Sequence, residues 1–355
     1  MSKMMNLKAN QKREQACSRS LFWRWTKRML VALVGLLLVL SAIGVTFQYI
    51  ATKSGERRYP PSGKLVDIGG YHLHLNCSGE GVATVIMDSG AGGNSLSWNL
   101  VQPEIAKFTR VCTYDRAGLG WSDPGPLPRT SRQFVKELHA LLVTSGIKGP
   151  YVLVGHSLGG MNMRLYASSY PGDVAGMVLV DSAHEDQFSL FSKIKEPLEM
   201  RVLRIPLLYK SLSILGVIRL STFWIQLNPK VPPQIQTMIL AVLTRTTNLF
   251  TITDEYFAIK EDAEQLRAAP KTLGDIPLVV LAHAKGPILK GISDEQKHQT
   301  MEIERIFYEL QAELSHRSHN GKLIIATKSG HNIQIDQPEL VIDAVHGVLD
   351  GIHQH

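Results

Sequence analysis

The chain has 355 residues, 44% hydrophobic and 19% charged, which excludes a disordered tail and suits one large domain or two ordinary ones. Its three cysteines, Cys17, Cys77 and Cys112, exclude a disulfide-built scaffold and fit no zinc-finger or zinc-ribbon spacing. The formal net charge of +7 does not point to nucleic acid, because residues 1–28 hold eight Lys or Arg against the single Glu14 and the rest of the chain sums to zero.

Residues 1–28 read as a basic cytoplasmic tail. No charged residue occurs from Met29 to Thr52, and residues 29–50 (MLVALVGLLLVLSAIGVTFQYI) would make about 33 Å of helix, enough to cross the hydrocarbon of a bilayer. A cleaved signal peptide has an apolar region of only about 7–15 residues and a small-x-small cleavage site. Phe47-Gln48-Tyr49-Ile50 offers no good site, so an uncleaved transmembrane signal-anchor is favoured over a cleaved signal. A core helix rarely runs this long without a polar face.

The cations before the span (Lys3, Lys8, Lys12, Arg13, Arg19, Arg24, Lys27, Arg28) outweigh Lys53, Arg57, Arg58 and Lys64 after it, which Glu56 and Asp67 dilute. The heavier positive side stays cytoplasmic, so the remainder is expected in a periplasm, a lumen or the extracellular space. Trp23, Trp25 and Tyr49 sit where interfacial aromatics belong. Cys17 then falls on the reducing side, and Cys77 and Cys112 on the oxidising side.

Residues 51–63 are polar and contain prolines, and read as a linker. Strand patterns follow at 71–77 (YHLHLNC), 83–87 (ATVIM) and 110–114 (RVCTY), then a helical pattern over 131–145. Residues 151–154 (YVLV) read as a strand leading into a helix from 158 to about 169, and 177–180 (MVLV) as another strand. The rhythm breaks over 187–274, which hold apolar helical stretches (207–220, 237–243) and no convincing strand, the pattern of a helical cap. Strands return at 278–281 (LVVL) and 322–326 (KLIIA), and 340–349 closes the chain as a helix. Short apolar runs alternating with amphipathic helices predict an α/β fold on a mostly parallel sheet, in two parts, 64–186 and 275–355, around the cap.

Gly155-His156-Ser157-Leu158-Gly159 matches G-x-S-x-G between a strand and a helix, the context the pattern requires. A sharp strand-to-helix turn lifts the serine hydroxyl into the open, and the glycines leave it room. The helix N-terminus and the Leu158 amide face the charge that develops on attack. A serine nucleophile needs a base, and His331, in a Ser-Gly-His loop after the last strand, is placed to supply it. His72 and His74 alternate on a strand and read as surface or packing residues; His156 belongs to the turn; His298, His316, His319, His353 and His355 lie in polar helical or terminal segments.

Asp181 ends the strand after the serine's helix, so it emerges at the same sheet edge as the candidate acid, with Glu185 and Asp186 as alternatives. The strand at 278–284 is followed by Lys285-Gly286-Pro287 and offers no acid before Asp294. An oxyanion hole needs two amides: Leu158, and one from the turn Asp88-Ser89-Gly90-Ala91-Gly92-Gly93, where Ala91 is preferred to Gly92.

These marks in this order resemble the α/β-hydrolase superfamily over about residues 64–350. They are Ser89-Gly90-Ala91 with Trp98 beyond it, Asp115-Arg116-Ala117-Gly118-Leu119-Gly120-Trp121-Ser122, then GHSLGG and the late Ser-Gly-His. The resemblance implies an eight-stranded sheet with the cap between strands six and seven, and some members take their acid after strand six, which supports Asp181. It also makes strands two and four neighbours, so that Cys77 and Cys112 can meet in a disulfide. Ser89 departs from the usual histidine, and the usual acid after strand seven is missing.

A serine nucleophile sets the chain apart from the dehalogenase and epoxide-hydrolase branches, which use aspartate there. The expected function is a serine hydrolase acting through an acyl-enzyme, esterase- or lipase-like, on a small-molecule ester with an apolar acyl or aromatic group. The apolar cap and the neighbouring lipid favour a lipid-like ester. Acyl transfer, carbon–carbon bond hydrolysis and a non-catalytic scaffold that binds a ligand or partner are the alternatives. No metal, organic cofactor or nucleic-acid partner is implied, and the oligomeric state is open.

Overall fold

The computed structural model describes residues 2–187, 205–225, 227–284 and 293–353. Part of the expected cap (188–204), the loop Lys285-Gly286-Pro287 and His355 lie outside the described residues.

Eight strands form one sheet: β1 (Lys64–Asp67), β2 (His72–Ser78), β3 (Thr84–Asp88), β4 (Arg110–Tyr114), β5 (Tyr151–His156), β6 (Val174–Val180), β7 (Leu278–His283) and β8 (Gly321–Ala326). Their spatial order is β1-β2-β4-β3-β5-β6-β7-β8. β1 and β2 pair antiparallel, as do β2 and β4, and every other neighbouring pair is parallel. This is a mostly parallel sheet, as the sequence pattern predicts, with the eight strands that the resemblance implies.

The helices are α1 (Ser2–Arg58), α2 (Ser131–Thr144), α3 (Leu158–Ser169), α4 (Pro206–Ile214), α5 (Val217–Ser221), α6 (Pro233–Leu243), α7 (Thr246–Ala268), α8 (Asp294–Ser315) and α9 (Pro338–His353), with shorter turns between. α4 to α7 form the cap between β6 and β7.

Alternate residues of each central strand point to opposite faces. Leu153, Met177 and Leu179 pack against Phe134, Leu138 and Leu141 of α2 and Met161 and Leu165 of α3. Val152, Val154, Val178 and Val180 pack against Val341, Val345 and Val348 of α9. Both faces are therefore covered, which explains why these strands read as continuous apolar runs. Cys77 and Cys112 face each other in the β2–β4 register with Cα atoms 4.0 Å apart, and they form a disulfide.

Three local features differ from the sequence reading. The stretch read as a linker, 51–63, is helical as far as Arg58, because α1 continues out of its apolar part and rests on the cap through Thr52, Gly55 and Glu56. The helix expected over 207–220 breaks after Ile214, where Gly216 adopts φ 72°, a left-handed conformation open to glycine at little cost. β1 was not anticipated: only Val66 of its four residues is buried, so it carries no readable period.

Candidate active site

The β5–α3 turn places Ser157 at φ 52° and ψ −118°. A β-carbon at Gly155 would stand 2.5 Å from the Gly159 carbonyl oxygen, and one at Gly159 would strike the Asp88 carbonyl. Only glycines let α3 start this close to β3 and β5. The Ser157 amide donates to Val180 O (3.2 Å), and Ser157 O accepts from the Ala183 amide (3.0 Å), so the turn is fastened to the end of β6.

Asp181 follows β6 directly, at φ 46°. Among the described residues, Ser157 and Asp181 are the two non-glycine positions with positive φ. Such strain persists where surrounding bonds over-determine it, and it concentrates at functional sites. The Asp181 carboxylate is fully buried. His331 Nδ1, from the loop after β8, lies 2.6 Å from Asp181 Oδ2, while half of the His331 side chain stays exposed. Glu185 and Asp186 turn elsewhere: Glu185 accepts from Arg164 and Arg317, both at 2.8 Å, and Asp186 accepts from Arg267 at 2.9 Å.

His156 packs beside His331 with ring centroids 4.7 Å apart. Its Nε2 meets the His331 carbonyl oxygen at 3.0 Å and its Nδ1 meets Gln334 Nε2 at 3.3 Å, contacts that assign the proton to Nε2. Burial, then the neighbouring His331, push its pKa down to about 3. His156 is thus a neutral strut that fixes the backbone of His331.

Two parts of the site escaped the sequence reading. The first is His283, the last residue of β7. Its amide and its Nδ1 both bond Asp181, at 2.8 Å each, and its Nε2 meets Glu304 of α8 at 3.0 Å. Burial opposes a charge on this ring, but the bonds to Asp181 and Glu304 outweigh it and raise its pKa to about 9. Burial likewise opposes the Asp181 charge, yet the His283 and His331 bonds bring its pKa down to about 2. The available signal was position: His283 ends a strand at the same sheet edge as Asp181.

The second is a buried polar cluster under the turn after β3. Arg116 donates to Asp88 (2.6 Å), Glu255 (2.8 Å) and the carbonyls of Ser89 and Gly90 (both 2.8 Å). Glu255, on cap helix α7, also accepts the Gly92 amide at 2.7 Å. Ser89, where a histidine was expected, donates to Asn94 O at 2.7 Å and closes the turn. The Gly92 amide is therefore occupied, whereas those of Ala91 and Leu158 make no hydrogen bond among the described residues. His74 is buried against Asp115 at 2.8 Å, and exposed His72 pairs with Asp123 at 2.9 Å.

Comparison with known proteins bears on the fold. The model of the alpha/beta hydrolase family matches residues 85–344. The protein YqjL of Bacillus subtilis (strain 168) is 26% identical over 283 residues, covering 80% of this chain and 89% of that protein. A putative lipase (lip1) from Acinetobacter baumannii AYE superposes with a TM-score of 0.60 at 19% identity, over 86% of this chain and 97% of that one. A putative epoxide hydrolase from Pseudomonas aeruginosa superposes with a TM-score of 0.62 at 15% identity, over 83% and 98%. At such identities the two structures speak for the fold alone.

Proposed function

The chain belongs to the alpha/beta hydrolase family, and on that premise we propose that it is a serine hydrolase that cleaves carboxylic esters with an apolar acyl or aromatic group. Ser157 Oγ attacks the ester carbonyl carbon while His331 Nε2 takes the hydroxyl proton. Asp181 accepts from His331 Nδ1, holds the ring in this tautomer and stabilises the imidazolium. The carbonyl oxygen becomes an oxyanion facing the amides of Ala91 and Leu158, with the α3 N-terminus behind them. Collapse breaks the bond to the alcohol, which leaves with the proton from His331. A water molecule, deprotonated by His331, then attacks the acyl-enzyme, and the acid departs as Ser157 regains its proton.

The observation that carries this reading is the 2.6 Å pairing of His331 with the buried Asp181, at the sheet edge where Ser157 sits on its turn. The occupied Gly92 amide supports Ala91 as the second oxyanion donor. Residues 29–50 of α1, charge-free and exposed over most of their length, anchor the enzyme in a membrane with its N-terminus cytoplasmic and its catalytic domain on the other side.

A panel of p-nitrophenyl esters of rising acyl length, given to the full chain in detergent, tests the activity. The expected result is turnover with an optimum above acetate that is lost in His331→Ala and Asp181→Asn. No turnover of any ester or thioester by the folded wild type contradicts it.

A further inference from the structure

The apolar span and the cap overlap along α1. Counted from Met29, a hydrocarbon core of ~30 Å takes about 20 residues and ends near Gln48. Yet α1 already meets the cap inside that stretch. A β-carbon on Gly44 would stand 2.5 Å from the Leu215 carbonyl oxygen, so the cap backbone touches α1 there. Gly216 packs on Phe47. Gln48, 3% exposed, donates to Thr244 O at 2.8 Å and accepts from Arg219 at 2.8 Å. Gly44 lies four residues before Gln48, so the α4–α5 turn meets the anchor about 6 Å below the hydrocarbon boundary.

The cap segment that meets α1 there exposes apolar side chains. Leu207 is 80% exposed and Phe223 82%, with Leu208, Ile214, Val217 and Leu220 also exposed. No Asp or Glu occurs from 205 to 225. Its two cations are held by polar partners, Lys210 by Asp254 (2.8 Å) and Arg219 by Gln48, Thr52 and Thr244 O. Segments of this kind settle about 5–10 Å into the headgroup and acyl boundary.

We propose that cap residues 205–225 are seated in the membrane surface beside α1, with Leu207, Leu208, Leu220 and Phe223 in contact with lipid, so that the enzyme draws its ester from the bilayer. The inference rests on the anchor and esterase readings above. One helix, α7, links this segment to the site. Lys210 of α4 holds Asp254 of α7, and the next residue, Glu255, holds the Gly92 amide of the turn after β3. The occupant is a lipid leaflet because the apolar segment continues the surface of a helix whose own length and composition fit a bilayer.

The test uses the full chain in phosphatidylcholine vesicles, with Cys17→Ser and single cysteines labelled with an environment-sensitive fluorophore. Labels at Leu207→Cys and Phe223→Cys should shift to the blue and lose fluorescence when doxyl-labelled phosphatidylcholine is included. Leu37→Cys, in the apolar span, should do the same, and the fully exposed Val82→Cys should not. If Leu37→Cys is quenched while the two cap labels behave like Val82→Cys, the cap inference is overturned and the anchor stands. If the cap labels shift to the blue without lipid quenching, a protein surface or a second copy covers the segment, and the inference is again overturned. An unquenched Leu37→Cys removes the anchor and this inference together.

Discussion

His283 Nδ1 lies 2.8 Å from Asp181 Oδ2, the same carboxylate oxygen that His331 Nδ1 meets at 2.6 Å. The carboxylate thus serves two imidazoles, and the one backed by Glu304 carries charge through the neutral pH range. A cation there offsets part of the Asp181 charge felt by His331. In His283→Gln the full charge acts on His331, so the acid limb of the kcat/KM profile is expected to move to higher pH, by up to about one unit. A lowered rate with an unmoved limb would assign His283 a structural role only. Stability follows the same group: its raised pKa gives stabilisation complete below the ordinary 6.5 and lost as pH rises through about 9. The melting-temperature gap between wild type and His283→Gln should therefore narrow across that window.

Glu255 ties the cap to the turn after β3 through the Gly92 amide and Arg116. Glu255→Ala leaves the buried Arg116 with Asp88 as its remaining carboxylate partner. Breaking a buried pair from one side costs about 3–5 kcal/mol. Urea unfolding should show a loss of that order. Where the variant still folds, ester turnover should fall more than substrate affinity, because Gly92 and with it Ala91 lose their support.

Asp262 of α7 accepts the Ser131 amide at 2.6 Å through one oxygen, while its other oxygen is buried and unbonded among the described residues. Burial pushes this carboxyl up to about 7. The fold therefore keeps a proton that the unfolded chain releases, and a penalty builds from pH 3.8 to about 7 and stays constant above. Asp262→Asn removes that penalty. Its melting temperature relative to wild type should rise by several degrees between pH 4 and 7, at ~1.4 kcal/mol per unit of pKa, and a difference flat with pH would contradict the assignment.

The Cys77–Cys112 disulfide spans 35 residues and joins β2 to β4. On the chain-entropy account a loop of that size stabilises the fold by about 4 kcal/mol. The Cys77→Ala, Cys112→Ala double variant should melt well below the oxidised wild type and match the reduced one. An oxidised wild type that melts with the double variant would show that the bond contributes nothing.

Much of this architecture could be read from local pattern. The central strands are buried on both faces and so advertise themselves as apolar runs, and G-x-S-x-G between a strand and a helix marks Ser157 by its backbone demands. What escaped depends on strand order. His283 meets Asp181 because β6 and β7 are neighbours with Val180 opposite Leu281, a relation invisible along the chain. Glu255 lies in a helix buried on more than one side, where no polar face singles it out. The stretch up to Arg58 read as a linker because it is polar, and the contacts of Thr52 and Glu56 with the cap lie far along the chain.

The central claim is a covalent acyl-enzyme at Ser157, and a fluorophosphonate followed by peptide mass spectrometry tests it most directly. The full-length wild type should take up one probe on the peptide that carries Ser157. Ser157→Ala should take up none and lose on the order of 10⁴-fold or more in ester turnover. A folded wild type that takes up no probe, or a Ser157→Ala variant labelled as well as wild type, would contradict the account.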